Sequence, residues 1–293
     1  METTPTLPVE LGPVDAALLR PLFGRAGETR RGLRGLVHDP TAVAMVEGLA
    51  YDVDALRHMP GLAGVSLRTR VFDEEVRSFL GAYPRGSVVE IGAGLGTRFE
   101  RLGRGRAHWL EIDDDEPMSL RRRFLGEDPR RRQLALSPAD LSWLAAAADL
   151  PRPLCFVAEG SFSKLDPETV KATLWRLRTR FPGSWLVMDT ASEALRDLPP
   201  THALATHYPE ASDVRWTCDD PHELRAWGLR LHRSRSFFEL PPKVEARIPW
   251  RFRVLLRWFP WLVRDALDGY RINLFVLGAG GEGEAGERRE ESW

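Results

Sequence analysis

The sequence predicts a doubly wound α/β fold, a mostly parallel sheet with helices on both faces. Three observations carry this. Short apolar runs alternate with helical runs from residue 87 onward. The first apolar run (Val88, Val89, Ile91) enters a glycine-rich turn, Gly92-Ala-Gly94-Leu-Gly96. The second ends on an acid, Asp113, twenty-one positions after Gly92. Such sheets hold a nucleoside-bearing cofactor at this first turn. Gly92 and Gly94 lack the Cβ that would block a ligand, and a second-strand carboxylate accepts hydrogen bonds from ribose hydroxyls.

Residues 1–80 read as an N-terminal helical cap. Asp15-Ala-Ala-Leu-Leu-Arg-Pro21, Pro40 to Glu47 and Phe72 to Leu80 carry apolar residues at helical spacing. The core follows over 81–277. Strand one is 87–91 and strand two 107–112, then comes a charged helix around Pro117 to Phe124 and a third strand over 133–136. In Ser137-Pro138-Ala139-Asp140 a cap, a first-turn proline and an acid predict a helix start. Strand four is 154–158. Asp166 caps a helix opened by Pro167, with a stripe of Val170, Leu174 and Leu177 and a stop at Pro182-Gly183. Strand five, 185–188, ends at Asp189. From Thr190 to Asp219 no period is evident, and a helix from Asp220 closes near Gly228. The span 190–228 therefore reads as an insertion over the carboxyl end of a strand, a candidate lid. Two strand-like runs, 229–240 and 270–277, flank a tryptophan-rich segment, and the last strand is expected to insert antiparallel. The Gly/Glu/Arg-rich tail, 278–293, reads as disordered.

Composition narrows the function classes. A chain of 293 residues slightly exceeds a usual single core, and 43% hydrophobic residues with 10 Trp and 13 Phe suffice to fill one. A net charge of −1 gives no global attraction to polyanions. The runs Arg121-Arg122-Arg123 and Arg130-Arg131-Arg132 lie beside acids and read as solvated charge, so no nucleic-acid partner is expected. Cys155 and Cys218 lack metal-site spacing, no signal peptide is evident, and the greasiest stretch is interrupted by Arg257 and Pro260. The expectation is a cytoplasmic protein with no metal and no membrane partner.

The turn also selects among cofactors. A dinucleotide fingerprint wants a third glycine where Thr97 stands, and Gly96 comes one residue too early. Glu90, two residues before Gly92, disfavours a pyrophosphate and suits positive charge, such as the ammonium and sulfonium of S-adenosylmethionine. Glu159 follows the apolar strand 154–158, where an unpaired carboxylate would be costly to bury. Either a basic side chain or a cationic ligand must pair it, and the ligand is favoured. Glu111 and Asp113 compete for the ribose, with Asp113 preferred at the strand tip. Arg68 reads as lying before a helix, where most arginines are solvated. Of the histidines, His207, next to Tyr208, is the better acceptor-pocket candidate. Trp250, Trp258 and Trp261 could pack the sheet, line an acceptor pocket or form a homodimer contact.

These motifs, in order, resemble the leucine carboxyl methyltransferase family, which includes the tetracenomycin-type O-methyltransferases of polyketide biosynthesis. The resemblance runs from about Asp39 to Leu277. It rests on Leu67-Arg-Thr-Arg-Val-Phe-Asp73, the run Val89 to Leu102 through the glycine turn, Leu110-Glu-Ile-Asp113, Asp140-Leu141 and Val157-Ala-Glu-Gly160. It implies a Rossmann-like class I methyltransferase sheet, S-adenosylmethionine as cofactor, and methyl transfer to a carboxylate or hydroxyl of a small molecule such as a polyketide or other secondary metabolite. By position, Arg68 would hold the methionyl carboxylate and Gly92 with its neighbours the amino-acid part. Asp113 would hold the ribose, Asp140 and Leu141 the adenine, and Glu159 would lie near the ammonium and the transferred methyl. Two positions depart from the pattern: Gly96 stands where the family usually has Asp, and Lys164 where it usually has an aromatic residue. Lys164 could pair with an acidic acceptor, the preferred role, or act as a base. The departures also motivate an alternative, a cofactor-binding protein that no longer transfers methyl groups and serves as a non-redox cyclase or scaffold.

Overall fold

The computed structural model describes residues 15–49, 62–103, 105–198, 214–237, 239–248 and 268–278. Its centre is a seven-stranded sheet in the order β3-β2-β1-β4-β5-β7-β6. The strands are β1 Ser87–Ile91, β2 His108–Asp113, β3 Arg131–Ala135, β4 Leu154–Ala158, β5 Trp185–Ala191, β6 Leu229–Arg235 and β7 Tyr270–Leu277. β1 to β5 pair in parallel, while β7 runs antiparallel to both β5 and β6. β1, the first strand of the sheet, has β2 on one side and β4 on the other. The strand order therefore reverses there, and a crevice opens at the carboxyl ends of β1 and β4.

Both faces of the sheet are covered, which is why its strands read as continuous apolar runs. Alternate residues feed opposite layers. Val89, Ile91, Leu154 and Phe156 join one core with Val170, Leu174 and Leu177 of the helix Pro167–Arg180. Val88, Cys155 and Val157 join another with Val71, Phe72, Val76 and Phe79 of the helix Leu62–Ala82. A third cluster packs Leu19, Leu22 and Phe23 of the helix Asp15–Arg30 against Ala42, Met45 and Val46 of the helix Pro40–Gly48.

Several boundaries differ from the sequence reading. The first helix runs on through Pro21 to Arg30: an interior proline disfavours this, but Leu19, Leu22, Phe23 and Ala26 continue a buried stripe across it. The long helix begins at Leu62, ten residues before the expected Phe72, and Arg68 lies inside it, buried. No helix starts at Ser137: a turn spans the region and the helix begins at Trp143, whose indole donates to the Pro138 carbonyl at 3.3 Å. β5 extends three residues past Met188. The segment Pro221–Trp227 is a 3-10 helix capped by the Asp220 carboxylate and closed by Gly228 at φ 78°. Much of the candidate lid, with His207 and Tyr208, lies outside the described residues, as do the tryptophan-rich segment and the tail from 279. Among the described residues no helix is long and apolar enough to cross a membrane.

Candidate functional site

The chain turns sharply after β1 because Gly92 and Gly94 take φ values of 73° and 49°, which side chains disfavour. A Cβ on Gly92 would also lie 2.6 Å from that of Ser161. The turn is clamped from two sides. Gly92 and Ala93 donate to the Ile112 carbonyl at 2.9 and 3.0 Å, and Gly94 donates to the Asp113 carboxylate. From beneath, the Arg121 guanidinium donates to the carbonyls of Gly94, at 3.0 Å, and Gly96. Arg121 is fully buried and lies 2.6 Å from Glu111. The arginine run is therefore not uniformly solvated: its first member belongs to the core and holds the turn.

Above the turn is a cavity of about 300 Å³. Its walls bring together Arg68, Glu90, Gly92, Gly94, Asp113, Glu159 and Lys164 of the sequence candidates. Asp140 and Leu141 are not in this wall; Ser137 and Pro138 form that edge instead. The exposed Asp140 carboxylate accepts from the Ser142 N–H at 2.9 Å. Glu111 and Asp113, the two ribose candidates, differ in position. Glu111 is sealed in the core by Arg121 and by Gln133, whose amide donates to it at 3.0 Å, whereas Asp113 reaches the cavity. Burial pushes the Asp113 carboxyl up, against the N–H groups of Gly94 and Asp114.

Glu159, expected to need a basic side chain or a cationic ligand, is paired with arginine. It lies 3.3 Å from Arg68 Nε, accepts from the Thr69 hydroxyl at 2.8 Å and pairs with Arg98. Burial opposes its ionisation, but Arg98 and Arg68 hold its carboxyl below the usual range. Arg98 also reaches Asp73 at 3.0 Å and Glu90 at 3.2 Å. Glu90 is buried with its carboxyl pushed up by desolvation, Arg98 opposing, and its Oε1 has no hydrogen-bond partner among the described residues. The chain of ion pairs continues from Asp73 to Arg101 at 2.9 Å, then to Asp39 at 2.9 Å and Arg25 at 2.9 Å. Arg25 also donates to the Leu95 carbonyl at 2.7 Å, so the N-terminal helices are tied to the glycine turn.

Sequence reasoning missed this network. Arg98 and Arg101 stand within the quoted turn motif, at the spacing that puts both on one side of a helical turn, and that was the available signal. It also missed Asp189, whose buried carboxylate takes the Gly160 N–H and the Tyr270 hydroxyl, although the ending of strand five on an acid was visible. Lys164 is half-buried in the turn Phe162–Lys164 and forms no ion pair among the described residues. His222 is exposed. The described residues hold no cluster of histidine, cysteine and acids suited to a metal.

Comparison with known proteins agrees with this architecture. A search of curated proteins finds no match. Solved structures of similar fold include a DUF574-family protein from Streptomyces avermitilis, 13% identical, covering 81% of this chain and 89% of that one with a TM-score of 0.51. The plantazolicin methyltransferase BpumL in complex with S-adenosylhomocysteine is 11% identical, covering 91% and 100% with a TM-score of 0.46. The N-methyltransferase NodS from Bradyrhizobium japonicum, also with S-adenosylhomocysteine, is 12% identical, covering 82% and 99% with a TM-score of 0.45. The family model described as leucine carboxyl methyltransferase matches residues 19–178, more than half of the chain. With its doubly wound sheet, antiparallel last strand and acid-walled first turn, the chain belongs to the leucine carboxyl methyltransferase family.

Proposed function

We propose that the protein is an S-adenosylmethionine-dependent O-methyltransferase acting on a hydroxyl or carboxylate of a small molecule such as a polyketide or other secondary metabolite. The observation that carries this reading is the cavity at the first turn, walled by Glu90, Asp113 and Glu159 in a chain of this family. The residues fit the cofactor. Among the described residues the buried Glu90 keeps an oxygen without a hydrogen-bond partner, the glycine turn gives backbone access, and Asp113 keeps acceptor capacity beyond its two N–H donors. Arg68 would take the methionyl carboxylate and Asp113 the ribose hydroxyls. Glu159, held by Arg68 and Arg98, would offset positive charge close to the methyl. Asp140 and Leu141 remain the adenine candidates by resemblance, with Ser137 and Pro138 nearer the cavity.

When bound, the cofactor supplies a methyl group already activated on a sulfonium. The protein's contribution is positioning, which alone can account for several kcal/mol of the barrier, of order 7–11 in the best cases. Lys164 lies on the cavity wall and would pair with an acidic group of the acceptor, and His207 is an acceptor-side candidate from the sequence. Turnover tests the reading: S-adenosylhomocysteine should accumulate when the protein meets S-adenosylmethionine and a hydroxylated or carboxylated aromatic acceptor. Cofactor binding with no such product from any acceptor would return the reading to a non-transferring cyclase or scaffold.

A further inference from the structure

A second cavity, of about 20 Å³, lies beside the first at the carboxyl ends of β4 and β5. The two share Arg68 and Gly160 as walls. Its other polar walls are Ser163, Asp189, Thr190 and Tyr270. The space suits one water-sized oxygen, which needs about 10–15 Å³ and two to four polar partners. Asp189 is 2% exposed. Its two oxygens receive the Gly160 N–H at 3.0 and 2.9 Å, and Oδ2 also receives the Tyr270 hydroxyl. An ionised carboxyl offers about four acceptor sites, so at least one is left for a guest in the cavity.

The charged and titratable groups around Asp189 come from three elements. Arg68 projects from the helix Leu62–Ala82, Glu159 stands after β4, and Tyr270 opens β7. Burial is the largest influence and pushes the Asp189 carboxyl above the usual range, with Arg68, Tyr270 and Gly160 opposing and Glu159 adding to it. A buried carboxylate that keeps a free acceptor site and holds a proton more readily than an exposed one is suited to general-base work. An anionic acceptor carboxylate, by contrast, would enter the small cavity against the like charge of Asp189, where Arg68 is already engaged by Glu159.

We propose that this small cavity seats the oxygen of a hydroxyl acceptor and that Asp189 takes its proton, so that the acceptor is an alcohol or phenol rather than a carboxylic acid. The proposal rests on the methyltransferase reading above. In the step, the acceptor O–H proton passes to the Asp189 carboxylate and an oxygen lone pair forms the new bond to the methyl carbon. The carbon–sulfur bond breaks with its electron pair kept by sulfur, which leaves S-adenosylhomocysteine as a neutral thioether. Asp189 then returns the proton to solvent. Tyr270 is a positioning residue that holds the carboxylate.

The test compares wild type, Asp189→Asn and Tyr270→Phe. Calorimetry with S-adenosylhomocysteine comes first, then transfer from S-adenosylmethionine to phenol and to benzoate across pH. Asp189→Asn should bind S-adenosylhomocysteine with near wild-type affinity yet methylate phenol about 100-fold more slowly or worse, with the acid limb of the rate profile gone. Tyr270→Phe should move that limb to higher pH, because the carboxylate loses a donor that stabilises its charge. Wild-type rates on phenol in Asp189→Asn would overturn the proposal. So would a preference for benzoate, or S-adenosylhomocysteine binding without transfer to either probe. Wild type that fails to bind S-adenosylhomocysteine would instead overturn the cofactor reading, and this proposal with it.

Discussion

Arg121 shows how much one buried side chain can carry. It neutralises Glu111 in the core and holds three carbonyls of the glycine turn, those of Ala93, Gly94 and Gly96. Replacement by Met leaves Glu111 buried and unpaired, which typically costs about 3–5 kcal/mol. The exposed Arg122, one residue on, should change stability by about 0.5 kcal/mol or less when replaced by Ala. Urea unfolding of Arg121→Met and Arg122→Ala checks the contrast; equal stabilities would remove the clamp. Gly92→Ala probes the turn itself. It imposes a side chain at φ 73° and drives its Cβ toward that of Ser161, so a loss of about 1–3 kcal/mol is expected in the same measurement. The candidate site was legible at this scale where a residue type is unusual for its place. Acids after apolar strands and glycines at a turn stand out. The burial of Arg68 and Arg121 did not, because a guanidinium in sequence looks the same whether water or a carboxylate surrounds it.

At the scale of elements, the helix Leu62–Ala82 links core to site. Phe72 and Phe79 fill the layer under the sheet while Arg68, Thr69 and Asp73 face the ion-pair network. Its first half was missed in the sequence because Ser66, Arg68 and Thr69 interrupt the apolar stripe although they are buried. The turn after Ser137 was overread, since a cap residue, a proline and an acid also suit a loop whose carboxylate bonds two residues ahead. The network gives a pH prediction. Burial opposes ionisation of Asp73, but Arg101 and Arg98 outweigh it and hold its carboxyl well below the ordinary range. Its stabilising contribution is thus complete above the unfolded value of about 4 and is lost as pH falls below it. Glu90 and Asp189 are shifted the other way and gain on acidification, so the total stability is a poor probe. The gap between wild type and Asp73→Asn isolates the effect. It should narrow as pH falls from neutral through the carboxylate range, read from urea midpoints; a constant gap would show that Asp73 is not held ionised.

For the whole molecule, the order β3-β2-β1-β4-β5-β7-β6 converges the cofactor candidates from distant parts of the chain. Arg68 comes from a helix before the sheet, Glu90 from β1, Asp113 from the tip of β2 and Glu159 from beyond β4. The fold was legible because parallel strands buried on both faces leave continuous apolar runs, and the switch point beside β1 follows from their order. The network that braces the site joins residues far apart in sequence, and no local pattern announces such pairing. The central claim is that the bend after β1 holds a sulfonium nucleoside. Titration calorimetry with S-adenosylhomocysteine on wild type and Asp113→Ala tests it most directly. Wild type should bind at one site, and the variant about 10- to 100-fold more weakly, as expected when charge-assisted hydrogen bonds worth about 1.5–3 kcal/mol are lost. Undiminished affinity in Asp113→Ala, or no binding by wild type, would contradict it.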